Sequence, residues 1–148
     1  MPRMTTTLLA IESAMETLGE FDAVMRGEPK NAPQNNTLAI LLDAVVMEHQ
    51  NLATPTEIRS VILRHYLKAL GDEAATEEAS AGAYDAILGA IGGDLDLSTF
   101  GGGETGVAEP DMDSLTAQWG YLTLDSTIYR TFDVSLGYRV HGAVDYVR

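Results

Sequence analysis

The strongest constraint on the fold is the alternation of side-chain character between residues 128 and 140. The even positions are mainly apolar: Ile128, Arg130, Phe132, Val134, Leu136, Tyr138 and Val140. The odd positions are mainly polar or small: Tyr129, Thr131, Asp133, Ser135, Gly137 and Arg139. Because successive side chains of a strand point to opposite faces of its sheet, this pattern predicts a long strand with one buried face and one wet face. Arg130 on the apolar side and Tyr129 on the polar side are the exceptions.

An apolar-rich run at residues 115–124 precedes this strand, and Asp125-Ser126-Thr127 separates the two. So short a polar connection predicts a turn, and hence a long C-terminal β-hairpin. Neither run places a nucleophile beside a base or sets out residues at metal-ligand spacing. The hairpin therefore indicates structural scaffolding and directs the search for function towards assembly.

The composition fits a single globular domain over residues 1–148. Hydrophobic residues make up 45% of the chain, no apolar run approaches the ~20 residues of a spanning helix, and the N-terminus does not read as a signal peptide. The absence of cysteine excludes disulfides, thiolate metal sites and cysteine nucleophiles. We expect the protein to be made in the cytoplasm.

The formal net charge of −13 argues against two classes of partner. Nucleic acids and anionic membranes attract Lys and Arg and repel carboxylates, so we expect neither a grip on DNA nor membrane association. Acidic residues could instead line a conduit through which DNA slides without capture. Solubility alone is the simpler explanation of the charge.

Apolar residues at helical spacing predict two helices, at residues 6–18 and 76–91, the second with Thr76 as its N-terminal cap. Residues 56–70 are ambiguous. Thr54-Pro55-Thr56-Glu57 is a helix-start signal, whereas the many β-branched residues that follow favour a strand. Composition leaves both structures open.

Two strands and a loop are expected elsewhere. A short strand is predicted at residues 21–25, and a longer one at 37–48. The nearly continuous apolar character of 37–48 indicates burial on both faces, within the chain or against a neighbouring subunit. The Gly-rich, acidic residues 98–114 are expected to form a long loop after a short strand at 94–97.

Gly101-x-Gly103-x-x-Gly106 matches the dinucleotide-binding fingerprint letter for letter. Its context does not fit, because no firm strand precedes it and Glu104 and Glu109 would repel a pyrophosphate. We therefore predict no nucleotide site.

The histidines and acidic clusters offer no metal or catalytic site either. His49, His65 and His141 are not arranged at ligand spacing, and we expect them at the surface or at strand edges. The Asp and Glu clusters lack the later glycine and glutamate of a calcium loop and the aromatic-lined cleft of a glycosidase. We predict no catalytic residue, no cofactor and no metal.

Residues 26–33, here named the proline arm, read Arg26-Gly27-Glu28-Pro29-Lys30-Asn31-Ala32-Pro33. The two prolines restrict the arm to an extended conformation, and Glu28 and Lys30 present opposite charges from it. The arm is either a rigid connector between two elements or a pre-organised contact for a neighbouring subunit. The sequence alone leaves both roles open.

Short motifs follow one another in a characteristic order along residues 21–140. After an N-terminal helix come the proline arm, a β-region ending in Arg64-His65-Tyr66, and a helix ending in Gly93-Asp94-Leu95. The chain closes with Gly120-Tyr121-Leu122, a tight turn, and Tyr129-Arg130-Thr131-Phe132-Asp133-Val134. This order resembles the tail terminators and related neck-region minor tail proteins of long-tailed (siphovirus) bacteriophages. The Gly-rich residues 98–114 depart from the family's pattern.

The resemblance implies an α+β fold, with two helices packed on an antiparallel sheet, and it favours a strand over residues 56–67. It implies a structural virion protein of the tail or neck, without enzymatic activity or cofactor. Copies of the chain would form a homohexameric ring that caps the tail tube at full length. That ring would offer a docking surface to a head-connector or head-closure protein, and DNA would pass through it without specific binding.

Candidate contacts with a neighbouring subunit or partner are Arg26, Glu28, Pro29, Lys30, Arg64, Tyr129, Arg130 and Asp133. Because Arg130 breaks the apolar parity of its face, we expect its charge to meet a carboxylate across a subunit boundary. Acidic residues expected to face the channel or one end of the ring are Glu104, Glu109, Asp111 and Asp113.

Two alternatives stay open. Another neck protein, such as a head-closure or head–tail adaptor protein, would share these features. A small acidic hydrolase is the more distant alternative, and it would need a His–carboxylate cluster in a closed cleft, which the sequence does not suggest.

Overall fold

The computed structural model describes residues 4–47, 56–69, 71–91 and 108–141. Within them the chain forms an α+β fold of two helices and one five-stranded sheet. The elements in chain order are α1 (Met4–Thr17), β1 (Ala23–Arg26), β2 (Asn36–Met47), β3 (Thr56–Lys68), α2 (Glu73–Gly89), β4 (Ala108–Leu124) and β5 (Thr127–His141). The predicted fold class, the two helices and the C-terminal hairpin are confirmed.

The strands of the sheet lie in the order β1-β2-β3-β5-β4. The short β1 runs parallel to β2, and every other neighbouring pair is antiparallel. The ambiguous residues 56–68 are a strand, because β3 pairs along its length with β2 on one side and β5 on the other. These two ladders satisfy the backbone on both sides of β3, which outweighs the helix-start signal before it.

A two-residue turn joins β4 to β5. Asp125 and Ser126 have φ angles of 49° and 67°, and Leu124 pairs with Thr127 across the turn. Positive φ at both central residues is typical of the type I′ turn, whose twist matches that of the flanking strands. The predicted turn is therefore confirmed in its position.

Both helices pack on one face of the sheet, here named the packed face. Its core comprises Ile11 and Met15 of α1, Ala83 and Ile87 of α2, and the strand residues Leu38, Ile40, Val61, Leu63, Phe132, Val134, Leu136 and Tyr138. Each fully buried large apolar side chain contributes roughly 1.5–3 kcal/mol. The opposite face, here named the open face, carries no helix in the described part of the chain.

The alternation along β5 holds from Phe132 to Tyr138 and reverses at the start of the strand. Ile128 is 51% exposed, whereas Tyr129 is 2% exposed, so the assignment of these two residues to an apolar and a wet side was wrong. Tyr129 is buried on the open face because it packs against Tyr66, beside the proline arm. Near the start of β5, the buried apolar contacts therefore lie on the open face rather than on the packed face.

The prediction that residues 37–48 are buried on both faces holds only for their first part. Residues 37–40, which pair with β1, are buried. Beyond them, Leu42, Val45 and Val46 are 58%, 51% and 56% exposed within the single chain. The pairing with β1 ends at Ile40, and the ladder with β3 shifts register between Leu42 and Ala44. Burial of this half against a neighbouring subunit stays a prediction.

The predicted loop over residues 98–114 was wrong from residue 108 onward, because β4 begins at Ala108. The backbone there pairs with the far end of β5, placing Glu109 opposite Arg139 and Asp111 opposite Gly137. Because β4 is an edge strand, Pro110 costs no ladder hydrogen bond on its outer side. The predicted strand at 94–97 and the first part of the loop lie outside the described residues.

Helix α2 begins three residues before the predicted cap. Asp72 is the N-cap, and its side chain accepts a hydrogen bond of 3.0 Å from the Ala74 N–H. Thr76 lies one turn inside the helix, where its hydroxyl donates to the Asp72 carbonyl at 3.0 Å. Neither α1 nor α2 is long and apolar enough to cross a membrane, so the described residues provide no spanning helix.

Candidate functional site

Arg64 of β3 and Asp133 of β5 lie opposite each other on the open face. Arg64 Nε donates to Asp133 Oδ1 at 2.8 Å, and Arg64 Nη2 donates to Asp133 Oδ2 at 3.0 Å. This two-pronged geometry matches the planar fork of a guanidinium to both oxygens of a carboxylate. The pair fixes the direction of the Arg64 side chain across two strands.

The remaining side of the Arg64 guanidinium faces the proline arm. Arg64 Nη1 donates to Glu28 Oε1, and the Tyr66 hydroxyl donates to Glu28 Oε2 at 2.7 Å. Arg64 and Tyr66 share a face because they are two residues apart in one strand. We name Glu28, Arg64, Tyr66 and Asp133 the arm cluster, since it ties the proline arm to the centre of the sheet.

The surroundings of the arm cluster favour the charged form of Arg64 and the neutral form of Tyr66. The hydrogen bonds with Asp133, together with the charges of Asp133 and Glu28, raise the pKa of Arg64 above its usual range. Burial, followed by the contact with the Glu28 carboxylate, raises the pKa of Tyr66 to about 12. Tyr66 therefore stays a hydrogen-bond donor to Glu28 near neutral pH.

The far end of the proline arm is held by Tyr129. Its hydroxyl donates to the Pro33 carbonyl at 2.9 Å, and its ring meets that of Tyr66 edge to face, with centroids 6.4 Å apart. At the near end, Gly27 donates its N–H to the Ile40 carbonyl at 2.9 Å and adopts a φ of +90°, a conformation that L side chains rarely adopt. Both ends of the arm are thus fixed to the sheet.

An open groove of about 460 Å³ lies beside the arm cluster on the open face. Its lining includes Glu28, Arg64, Tyr66, Gln118, Leu122 and Asp133. The Glu28 and Asp133 side chains are 53% and 40% exposed, so both carboxylates reach solvent at its rim. The groove offers polar recognition rather than a closed reaction chamber. No group of three metal-ligating side chains occurs among the residues that the structure describes.

The other arm residues predicted as contacts lie at the surface. Arg26, at the end of β1, has a 48% exposed side chain, and its Nε lies 3.4 Å from Glu12 Oε2 of α1. Pro29 is half-buried and Lys30 is exposed. The structure therefore brings Glu28 together with Arg64 and Asp133 but leaves Arg26 and Lys30 outside the arm cluster.

Arg130 lies on the packed face, and its charge is met within the same chain. Its Nε lies 2.7 Å from Glu77 Oε1 of α2, and the better-aligned hydrogen bond runs from Nη2 to Glu77 Oε2 at 3.2 Å. Nη1 donates to the Gly120 carbonyl at 3.1 Å, and the guanidinium carbon lies 4.4 Å from the Tyr121 ring centroid. The carboxylate expected across a subunit boundary is thus supplied by α2; a further contact of Arg130 with a neighbour stays a prediction.

Of the four acidic residues expected at the channel, three lie within the described residues. Glu104 lies outside the described residues. Glu109, Asp111 and Asp113 lie in β4, which is described as backbone only at these positions. They are thus strand residues rather than members of a loop, and their orientation towards a channel stays a prediction.

His65 was expected at the surface or at a strand edge, and this was wrong. It is fully buried on the packed face, between Phe21 and Phe132, with ring centroids 5.6 and 4.8 Å away. Its Nε2 lies 2.5 Å from Asn36 Oδ1. Burial lowers the pKa of His65 to about 4, so the ring is neutral near pH 7. The signal was present in the sequence, because His65 continues the alternation of Val61 and Leu63.

Comparison of the chain with protein-family models and with the sequences of curated proteins gives no match.

Proposed function

We propose that this protein is a structural component of a phage tail, whose copies form a ring that caps the tail tube. The ring ends tail elongation and presents the docking surface for the head connector or head-closure protein. The protein has no catalytic role in this proposal. Its partners are further copies of itself, the tail tube protein and the head-connector protein, and it resides at the neck of the virion.

The observation that carries the proposal is the convergence of three distant motifs in the arm cluster. Glu28 comes from the proline arm, Arg64 and Tyr66 from the Arg-x-Tyr step, and Asp133 from the final strand. These are the motifs on which the resemblance to tail terminators depends. Their side chains meet in one hydrogen-bonded unit, which supports treating the three motifs as parts of a single structural device.

That device supports a role in recognition rather than chemistry. The arm is fixed at both ends, so little conformational freedom would be lost when its exposed part meets a partner. Lys30 projects from the arm into solvent, and Pro29 stiffens the backbone beside it. The arm cluster holds no nucleophile–base pair. These features favour a pre-organised contact for the ring or its partners.

The strong negative charge supports the passage of DNA through the ring. A surface with net charge of −13 per copy repels the phosphate backbone, so DNA would slide past without capture. We assign this role to Glu104, Glu109, Asp111 and Asp113. Reversing these charges to Lys should slow DNA ejection from the virion, and an unchanged ejection rate would remove the assignment.

The proposal is tested in tails assembled from a phage genome that lacks this gene. We expect overlong or ragged tails without heads in electron micrographs, and restoration of uniform tails when the wild-type chain is supplied in trans. Tails of normal length that fail to join heads would favour a different neck protein. Normal infectious particles would overturn both assignments.

A matched pair of substitutions in β3 tests whether the arm cluster matters to this role. Arg64→Met removes the cation that joins the arm to the sheet, whereas Lys68→Met removes an exposed cation from the same strand. We expect the Arg64 variant to restore uniform tails poorly and the Lys68 variant to restore them fully. Equal restoration of uniform tails by both variants would show that the function does not require the arm cluster.

A further inference from the structure

The sheet has two edges that carry no partner strand within the described residues. One is the outer side of β4 over residues 114–124, where the strand pairs only with β5. The other is the outer side of β2 over residues 41–47, because the pairing with β1 ends at Ile40. Such edges present unpaired N–H and C=O groups that readily bind another strand. We name them the β4 edge and the β2 edge.

Both edges are unusually free of charge for so acidic a chain. Residues 114–124 of β4 include no charged side chain, and residues 41–47 include only Asp43, in a protein of net charge −13. Natural edge strands are commonly protected by lysines or other charges, and the β4 edge has no such protection over these residues. An uncharged edge is where two copies of this chain can approach without repulsion between carboxylates.

Exposed apolar side chains flank both edges. Trp119, Tyr121 and Leu122 of β4 are 40%, 65% and 37% exposed. Leu42, Val45 and Val46 form a comparable group on β2, each more than half exposed. When two strands pair, such side chains meet across the new ladder and leave water. Each edge therefore offers the other unpaired backbone groups for hydrogen bonds and exposed apolar surface for burial.

We propose that the β4 edge of one copy pairs with the β2 edge of a second copy. The inference rests on the proposed ring. When the β4 edge of one copy binds the β2 edge of the next, the pair still has one free edge of each kind. Further copies can therefore join until the ring closes.

A symmetric pairing of two β4 edges is disfavoured by charge. Trp119 donates to the Ser80 hydroxyl at 3.0 Å, which places α2 over β4. Two α2 helices, each with exposed Glu73, Glu77 and Glu78, would then adjoin.

The β2 edge has room for this contact. No described strand pairs with the outer side of β2 beyond Ile40, and Leu42 and Val45 are each more than half exposed. Asp43 is the single carboxylate along the β2 edge. The pairing should therefore strengthen when Asp43 is replaced by Asn, since no carboxylate then has to lose water in the contact.

Blocking each edge separately tests the proposal. Val45→Glu/Val46→Glu adds two carboxylates at exposed positions of the β2 edge, and Thr116→Glu/Leu122→Glu does so at the β4 edge. The control, Ser13→Glu/Thr17→Glu, adds the same charge to the exposed side of α1. Circular dichroism establishes that all variants fold, and sedimentation velocity then gives their masses.

We expect the wild type and the control to assemble, and each blocked variant to associate more than about tenfold more weakly. Mixing the two blocked variants should restore one contact only, because one variant keeps an intact β4 edge and the other an intact β2 edge. The mixture should therefore stop at dimers. A blocked variant that dimerises alone overturns the proposal, because it indicates symmetric pairing.

The failure of this inference is distinguishable from that of the proposed function. Blocked variants that assemble as well as the wild type would overturn the edge pairing, while the ring and its role in tail length would stand on the micrographs. Wild-type chain that stays monomeric at every concentration would also overturn the edge pairing. Tail length in the gene-deletion experiment decides the proposed function independently.

Discussion

Arg64 and Asp133 face each other across the two central strands β3 and β5, joined by hydrogen bonds of 2.8 and 3.0 Å. The same guanidinium also binds Glu28 of the proline arm. One arginine therefore connects the middle of the sheet to an arm that lies 36 residues earlier in the chain. Because its side chain is only 30% exposed, this connection is partly shielded from solvent.

We expect the Arg64–Asp133 pair to show a measurable coupling in the free energy of unfolding. A double-mutant cycle with Arg64→Met and Asp133→Asn should give about 1 kcal/mol, since partly exposed pairs lie near the upper end of surface values. Added salt should reduce the coupling. Urea denaturation measures it, with Lys68→Met in place of Arg64→Met as the matched control. Strictly additive effects of the two substitutions would contradict the prediction.

Replacing Tyr66 with Phe should loosen the proline arm. The substitution removes the hydrogen bond to Glu28, worth about 1 kcal/mol, and so raises the population of the open arm about fivefold. Trypsin cleavage after Lys30 should accelerate by a similar factor when opening is fast relative to cleavage. Tyr84→Phe, which alters a hydroxyl on α2, serves as the control. An arm that is cleaved at the wild-type rate would show that Glu28 is held by Arg64 alone.

The stability of the protein should fall in mild acid because of His65. Its pKa is about 4 in the folded chain and 6.5 in the unfolded chain, so between these values the unfolded chain binds more protons. Stability is therefore complete above pH 6.5 and is lost as the pH falls towards 4. Between about pH 7.5 and about pH 5 the loss should be about 2 kcal/mol.

The variant His65→Gln isolates this contribution, since it removes the titrating ring and keeps a polar group near Asn36. Other groups titrate equally in the wild type and in the variant. The difference between their free energies of unfolding in urea should therefore shrink by about 2 kcal/mol from about pH 7.5 to about pH 5. A difference that is the same at both pH values would mean that His65 is protonated in the folded protein.

Ser126→Gly should stabilise the hairpin. Ser126 has a φ of 67° in the turn, a region that glycine occupies without steric cost. We expect the free energy of unfolding to rise by about 0.5 kcal/mol. The rise is smaller than the preference of glycine for the turn, because glycine also has greater freedom in the unfolded chain. Thermal unfolding measures the gain, and Ser126→Ala, which keeps a Cβ atom, should not produce it. A lower midpoint for the glycine variant would argue against this turn.

Local patterns predicted most of the secondary structure but not the packing around it. The alternation of β5 from Phe132 to Tyr138, the helical spacing in α1 and α2, and the polar turn at 125–126 depend on neighbouring residues, and the structure confirms them. Residues 108–114 look like loop because they are acidic and contain a proline. They form strand because β5 pairs with residues 108–111 and again from Thr116, after a register shift, and no local pattern encodes this pairing.

Three of the four members of the arm cluster were among the predicted site residues, whereas Tyr66 and the geometry of the cluster were not predicted. The motifs singled out Glu28, Arg64 and Asp133, yet nothing in their spacing indicated that one guanidinium binds both carboxylates. Arg130 was expected to need a carboxylate, and Glu77 supplies it because α2 folds back over β4 and β5. Such pairings depend on strand register and helix position.

The sequence by itself determined the character of this protein: an acidic, cysteine-free chain with two helices and a long C-terminal hairpin. These properties follow from composition and short-range periodicity, which act within a few residues. Only the tertiary structure decided that the proline arm is tied to β3 and β5, that His65 is buried and neutral, and that β2 and β4 have edges without a partner strand among the described residues. Those outcomes depend on which distant strands become neighbours, and strand order is set by the packing of the whole sheet rather than by any one segment.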